Sequence, residues 1–177
     1  MRGRDPLANP GPLLRRVYAY VAYRVPDRTE AEDITSETFE RALRYSDRYD
    51  ERKGDPVAWL LGIARNCVYD ASLRPRAELL PEPEPTRVGV EAEVVGRLAL
   101  EQALATLSPD DQELLALRYG ADLRVREIAS LLDRRTNAVE VALSRARNRL
   151  ASALESVESE AQPGTGGPAA GFADRAL

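Results

Sequence analysis

The chain has 177 residues, with 25 Lys+Arg against 29 Asp+Glu and a net charge of −4. That length allows one good core or two small ones. The absence of His removes the commonest general base, and the single Cys67 excludes an intramolecular disulfide and any multi-cysteine metal site.

Residues 1–11, without an apolar run, read as a disordered arm rather than a signal peptide. Leu13, Val17, Tyr20 and Val21 then mark one face of a helix. A second helix starts after Pro26-Asp27, with Ala31, Ile34, Thr38 and Ala42 on one side. A third is announced by Asp55 as N-cap and Pro56 at the first position, and carries Val57, Leu60, Leu61, Ala64 and Val68. Cys67 falls in that apolar pattern and reads as a buried thiol, and Trp59 as mainly a packing residue. The longest apolar run, VAWLLGIA, is far too short to cross a bilayer, so the expectation is a soluble, cytoplasmic protein with no membrane insertion.

Prolines at 75, 81, 83 and 85, alternating with Glu, forbid a helix and mark residues 74–93 as a flexible linker. Val94, Leu98, Ala99 and Leu104 or Ala105 define the face of the next helix. Ser108-Pro109-Asp110-Asp111 is a helix start, and Gly120 reads as a C-terminal stop. Val125, Ile128, Ala129 and Leu132 follow at i, i+3, i+4 and i+7. After Asp133-Arg134-Arg135 comes Thr136 as N-cap, and a last helix keeps Val139, Leu143, Ala146 and Leu150 on one face. Residues 158–177 read as a disordered tail. The fold expected is all-α, with two small helical domains over 12–73 and 94–157.

No catalytic set is visible, and the acids of EDITSETFE spread around their helix instead of converging on a metal. The expectation is a non-enzyme with no cofactor and no metal. The last two helices, joined by a short turn, form a helix-turn-helix pattern. On the second of them Asn137, Glu140, Val141, Ser144, Arg145 and Asn148 point away from the apolar face, with Arg147 and Arg149 on the flanks. Short polar groups suit base edges and guanidinium groups suit phosphates. An Arg-rich helical hairpin with a solvated side fits the same pattern. Charge is segregated: residues 124–149 hold seven Arg and three acids, giving +4, whereas residues 27–40 hold six acids and one Arg, giving −5. An acidic total therefore does not exclude a basic DNA face, but such a chain binds DNA weakly alone and needs a second, basic partner.

AEDITSETFERAL, then DRYDERKGDPVAWLLGIARNCVYD, a linker, and LATLSPDDQELLALRYGADLRVREIASLL with its helix-turn-helix resemble a small bacterial RNA polymerase sigma factor of the extracytoplasmic-function (ECF) type. The likeness covers about residues 10–155 in two blocks, region 2 and region 4. It implies three partners: core RNA polymerase, promoter DNA and an anti-sigma factor. It implies that Glu32, Asp33, Ile34, Glu37, Phe39 and Glu40 grip the polymerase. It assigns Arg48, Tyr49, Asp50, Arg52, Lys53, Gly54, Trp59, Arg65, Asn66 and Asp70 to the minus-ten element and its melting. Arg135, Thr136, Asn137, Glu140, Val141, Ser144, Arg145, Arg147 and Arg149 fall to the minus-thirty-five element. The chain departs from the family pattern at Asp133, where Gly is usual, and at Glu140 and Ala142, where basic residues are usual. A stand-alone helix-turn-helix regulator and a sigma-like interaction protein without initiation activity are the alternatives.

Overall fold

The computed structural model describes residues 5–74 and 91–161, and the described residues are helices and turns only. Three helices come from the first block: α1 (Pro10–Arg24), α2 (Arg28–Arg44) and α3 (Pro56–Ser72). Four come from the second: α4 (Glu91–Ala105), α5 (Pro109–Leu115), α6 (Val125–Leu131) and α7 (Thr136–Ala161).

Each start has a local cause. The Asp27, Asp55 and Ser108 side chains accept from the backbone N–H of Glu30, Ala58 and Asp111, satisfying donors that the first turn leaves free. Pro56 and Pro109 follow their caps, where a missing N–H costs nothing. At α6 the Glu127 carboxylate reaches back to the Arg124 N–H at 2.6 Å.

The apolar faces expected for α1, α2 and α3 are buried, Cys67 among them. Thr35 and Thr38 are buried too, and their hydroxyls donate to the carbonyls of Ala31 and Ile34. Burying each large side chain contributes about 1.5–3 kcal/mol, which makes helices of this length stable only as a packed set.

The two blocks share a core. Val17, Tyr20 and Val21 of α1 lie in one buried cluster with Leu114 of α5, with Leu117 and Ala121 beyond it, and with Ile128 and Val139 of α6 and α7. A smaller cluster of Leu104, Leu107, Leu115 and Ala146 lies inside the second block.

Several expectations are corrected. The arm expected to be disordered over 1–11 forms a turn from Asp5, where the carboxylate accepts the Leu7 N–H, and Leu7 packs on the core. The linker expected over 74–93 ends sooner, because α4 begins at Glu91, and α7 continues to Ala161, four residues past the expected end. Residues 75–90 and the remaining tail, 162–177, lie outside the described residues. On α4 Leu104 is buried as expected, in a line from Ala103 that continues to Leu107, whereas Leu98 is 53 % exposed. Thr136 is the first helical residue, and Arg135, whose carbonyl accepts the Val139 N–H, occupies the cap position.

Gly120 is not a left-handed stop. The chain passes from α5 into a π-turn over Ala116–Gly120, closed by Ala121 N–H to Ala116 O at 2.9 Å. The left-handed residue comes later, at Asp122 (φ 53°). What Gly120 supplies is room: a Cβ there would stand 2.8 Å from Ala19 O and 3.1 Å from Tyr20 Cα, both backbone atoms of α1.

Candidate nucleic-acid interface

The exposed acids of α2 form its outer face. Asp33, Glu37 and Glu40 recur at i, i+4 and i+7, which places them on one side of the helix. Glu32 is engaged by Arg28 at 3.0 Å, and Glu37 by Arg41 at 2.6 Å and Arg74 at 3.4 Å. Asp33 and Glu40 are exposed and form no ion pair with the described residues. Ile34, expected on this surface, is only 2 % exposed and faces the core, and Phe39 is half-buried against the same cluster. The i, i+3 and i+4 spacing that buries Ala31 and Ala42 carries Ile34 inward with them.

Between α2 and α3, residues 45–55 fold back as a loop that starts with a 3-10 turn at Ser46–Arg48. Gly54 has φ 155°, a conformation closed to residues with a Cβ. The Tyr49 hydroxyl donates to Gly54 O at 3.0 Å, and its ring lies 5.4 Å from the Trp59 ring, tilted by 56°. Arg48 stacks over Tyr45 at 4.8 Å. Asp50, itself exposed, accepts the Arg52 N–H at 3.1 Å, and Arg52 and Lys53 stand exposed at the tip. Trp59 is half-buried, consistent with packing as its main work, while Asn66 on α3 is exposed.

Two members of the same predicted set are occupied. Arg41 donates to Asp70 Oδ2 at 2.8 Å, tying α3 to the acidic helix α2. The hydrogen bonds to Asp70 and then Glu37 hold the Arg41 guanidinium protonated still more firmly than usual. Arg65 donates its Nε to Glu113 Oε1 at 2.7 Å, a carboxylate of the other block. Burial raises the Cys67 thiol, with the Thr38 hydroxyl acting the other way, so this side chain is an inert part of the core.

In the second block α6 and α7 are joined by residues 132–135, and Asp133 takes φ 51°, the left-handed conformation for which Gly is the easier residue. Asn137, Glu140, Val141, Ser144, Arg145, Arg147 and Asn148 are exposed on α7, and Thr136 is half-exposed at its start. Arg149 faces its own domain: Nη1 donates to both oxygens of Asp111, a carboxylate only 5 % exposed, at 2.9 and 2.8 Å. Arg134 is likewise held by Asp110 at 2.9 Å. The basic patch counted from the sequence therefore loses two of its seven cations to α5, and Arg149 serves the fold. Of the other five, Arg124 and Arg126 lie at the start of α6 and Arg135, Arg145 and Arg147 at the start and on the outer side of α7, and none is in an ion pair with a described residue.

One group of polar residues was absent from the sequence-based set. Glu113 of α5 receives Tyr20 and Arg24 of α1 as well as Arg65 of α3. Its partners lie 48, 89 and 93 positions away in the chain, so no local spacing could have found them. No group of three or more His, Cys, Asp or Glu able to hold a metal occurs among the described residues. Among them, too, no helix is long and apolar enough to cross a membrane.

Comparison with known proteins fits this geometry. The Sigma-70 region 2 family matches residues 12–77 and the Sigma-70 region 4 family matches residues 97–150. The ECF RNA polymerase sigma factor BldN of Streptomyces coelicolor is 36% identical over 147 residues, covering 78% of this chain and 56% of the relative. The ECF sigma factor SigD of Mycobacterium tuberculosis is 34% identical over 131 residues, covering 68% of this chain and 61% of the relative. The chain thus spans somewhat more than half the length of these curated relatives. Among solved structures, the sigma factor RpoE of Bartonella quintana, in complex with the anti-sigma factor NepR, superposes with a TM-score of 0.62 at 21% identity, covering 81% of this chain and 92% of that one. With both sigma-70 regions present in order on one all-helical chain, the protein belongs to the sigma-70 family and is of the ECF type.

Proposed function

We propose that the chain is an alternative sigma factor, which binds core RNA polymerase in the cytoplasm, directs it to a restricted set of promoters and assists melting, with no catalysis of its own. Region 2, over residues 12–73, carries the polymerase contact and the minus-ten surface. Region 4, from α4 at Glu91 to the end of α7 at Ala161, carries the minus-thirty-five helix. An anti-sigma factor is the further partner proposed, in keeping with the complex in which the RpoE relative was solved.

The observation that carries this reading is the free acidic face of α2, where Asp33 and Glu40 are exposed and lie one above the other. A regulator that used only its helix-turn-helix would have no use for it. This face also supplies what the net charge of −4 lacks, since a chain of that charge gains little from phosphates by itself and reaches DNA through a partner.

The test is binding to purified core polymerase and run-off transcription on enriched genomic fragments. Replacing Asp33→Lys and Glu40→Lys together should weaken core binding by roughly tenfold or more, with helicity unchanged, since charge pairs across interfaces are worth about 1.5–7 kcal/mol. Core binding that survives the double reversal would assign the face another role. Core binding without a transcript would make the chain a sigma-like interaction protein.

A further inference from the structure

Arg41 of α2 stands between the two surfaces proposed for region 2 and was counted in neither. Its Nη2 donates to Glu37 Oε1, one turn earlier, at 2.6 Å and to Asp70 Oδ2 of α3 at 2.8 Å. One nitrogen therefore serves two carboxylates that belong to different surfaces. Glu37 lies in the row of Asp33 and Glu40 on the outer side of α2. Asp70 lies one turn beyond the exposed Asn66 on α3, and its Oδ1 accepts from no described residue. Arg74 Nη2, 3.4 Å from Glu37 Oε2, completes a group of two guanidinium groups and two carboxylates with no net charge.

The helices under this bridge are held by other means. Thr38 and Cys67, both fully buried, meet beside it where α2 packs on α3. The Arg41, Glu37 and Asp70 side chains are only partly covered, at 29, 30 and 44 % exposure, so an outside group can reach the carboxylates. The charge of Arg41 is permanent, since the bonds to Asp70 and then Glu37 hold its proton more firmly still. What can change is how the guanidinium divides between its two acceptors.

We infer that Arg41 is a positioning residue that couples the polymerase contact to the minus-ten contact: a polymerase cation seated on Glu37 commits Arg41 to Asp70. The inference rests on the proposed function for the identity of both partners. Its sign follows from charge. A cation arriving at Glu37 neutralises one acceptor and repels Arg41, so the hydrogen bonding shifts to Asp70. Asp70 is then fixed and neutralised, with Oδ1 still available, and a phosphate backbone approaches α3 against less repulsion. By linkage the effect is reciprocal, and a strand that favours the committed arrangement tightens the polymerase contact by the same factor. Ion pairs this exposed are individually weak, so the expected coupling is about threefold.

The test uses the full chain, free and saturated with core polymerase. The probe is a fluorescent single-stranded oligonucleotide carrying the minus-ten sequence of a transcribed fragment. Its affinity is read by anisotropy in both forms at one salt concentration, and the ratio is the tightening due to core. Glu37→Gln removes the charge that competes for Arg41. The free variant should bind the strand about threefold more tightly than wild type, and its tightening by core should be about threefold smaller. Arg41→Gln leaves the Asp70 charge uncompensated, so strand affinity should fall in both forms while the tightening shrinks by a similar factor. Arg41→Lys keeps the charge and should restore strand affinity in part. Opposite effects on the free chain, with the same loss of tightening, are not what a clamp between α2 and α3 produces, since both substitutions would loosen it. Helicity and the unfolding midpoint, measured on each variant, separate these effects from loss of the fold. Weaker strand binding in both variants would overturn the coupling and make Arg41 a structural clamp. Full wild-type tightening in both would also overturn it, with the proposed function left standing. A wild type that binds neither core polymerase nor the strand would overturn the proposed function and the coupling together.

Discussion

The two surfaces proposed to face DNA are prepared differently. In region 2 several of the side chains proposed for the minus-ten element already have partners, although Arg52, Lys53 and Asn66 are exposed: Tyr49 holds Gly54 and leans on Trp59, Arg48 stacks on Tyr45, Asp70 is tied to Arg41 and Arg65 to Glu113. On α7 the side chains assigned to the minus-thirty-five element project from a regular helix, and Asn137, Glu140, Val141, Ser144 and Arg145 are all exposed. The contrast follows the physical state of the target. A helix entering the major groove meets base edges that the duplex already displays. A surface that captures an unstacked base must be in shape before the base arrives, because it offsets an unstacking cost of a few kcal/mol.

Arginines 145 and 149 sharpen this contrast most. They lie four residues apart on α7, yet only Arg149 supports the fold. Arg149→Ala should lower stability by about 1–3 kcal/mol, read by denaturant unfolding, because it leaves Asp111 nearly buried with its carboxylate short of a partner. Arg145→Ala should leave stability within about 0.5 kcal/mol and instead cost about 1–3 kcal/mol of discrimination in selection from randomised minus-thirty-five sequences. Equal stability losses for the two would erase the division of labour on this helix.

Lysine 53 and its neighbour test the other surface. Arg52→Ala with Lys53→Ala, at the exposed loop tip, should slow open-complex formation several-fold on duplex promoters and less on a pre-melted bubble, where the unstacking cost is already met. Equal losses on both templates would make the loop a docking element, no different in kind from α7.

The smallest effect belongs to the turn between α6 and α7. Asp133→Gly relieves a left-handed residue at φ 51° and should raise stability by up to about 1 kcal/mol without altering DNA preference, since Asp133 precedes the reading face. A change in base preference would mean that the turn sets the angle of α7.

Local features were the legible ones. Asp55-Pro56 and Ser108-Pro109 name their helix starts because a cap and the donors it satisfies are three residues apart. The buried faces of α1, α2, α3, α6 and α7 follow from periodicity for the same reason. Failures occurred where a distant partner decides. The spacing of Leu98 from Val94 fits a helix face, yet the buried line of α4 is set by its packing on α7, with Leu104 in one cluster with Leu115 and Ala146. Gly120 carried the sequence signature of a helix stop, but its small size answers to α1, a hundred residues earlier. Ile34 is among the contact residues that the resemblance implies, yet the periodicity that groups it with Ala31, Thr38 and Ala42 is what the structure follows, and its side chain belongs to the core.

Gly120 also gives a yardstick for surveying relatives. The space at that position is fixed by backbone atoms of α1, which cannot rotate aside as a side chain would. Any relative with a larger residue at the aligned place is therefore sterically barred from seating its second domain on the first in this register, whatever charges flank the seam. A single column of a sequence comparison would then sort relatives into those able to rest folded upon themselves in this way and those obliged to rest in another arrangement.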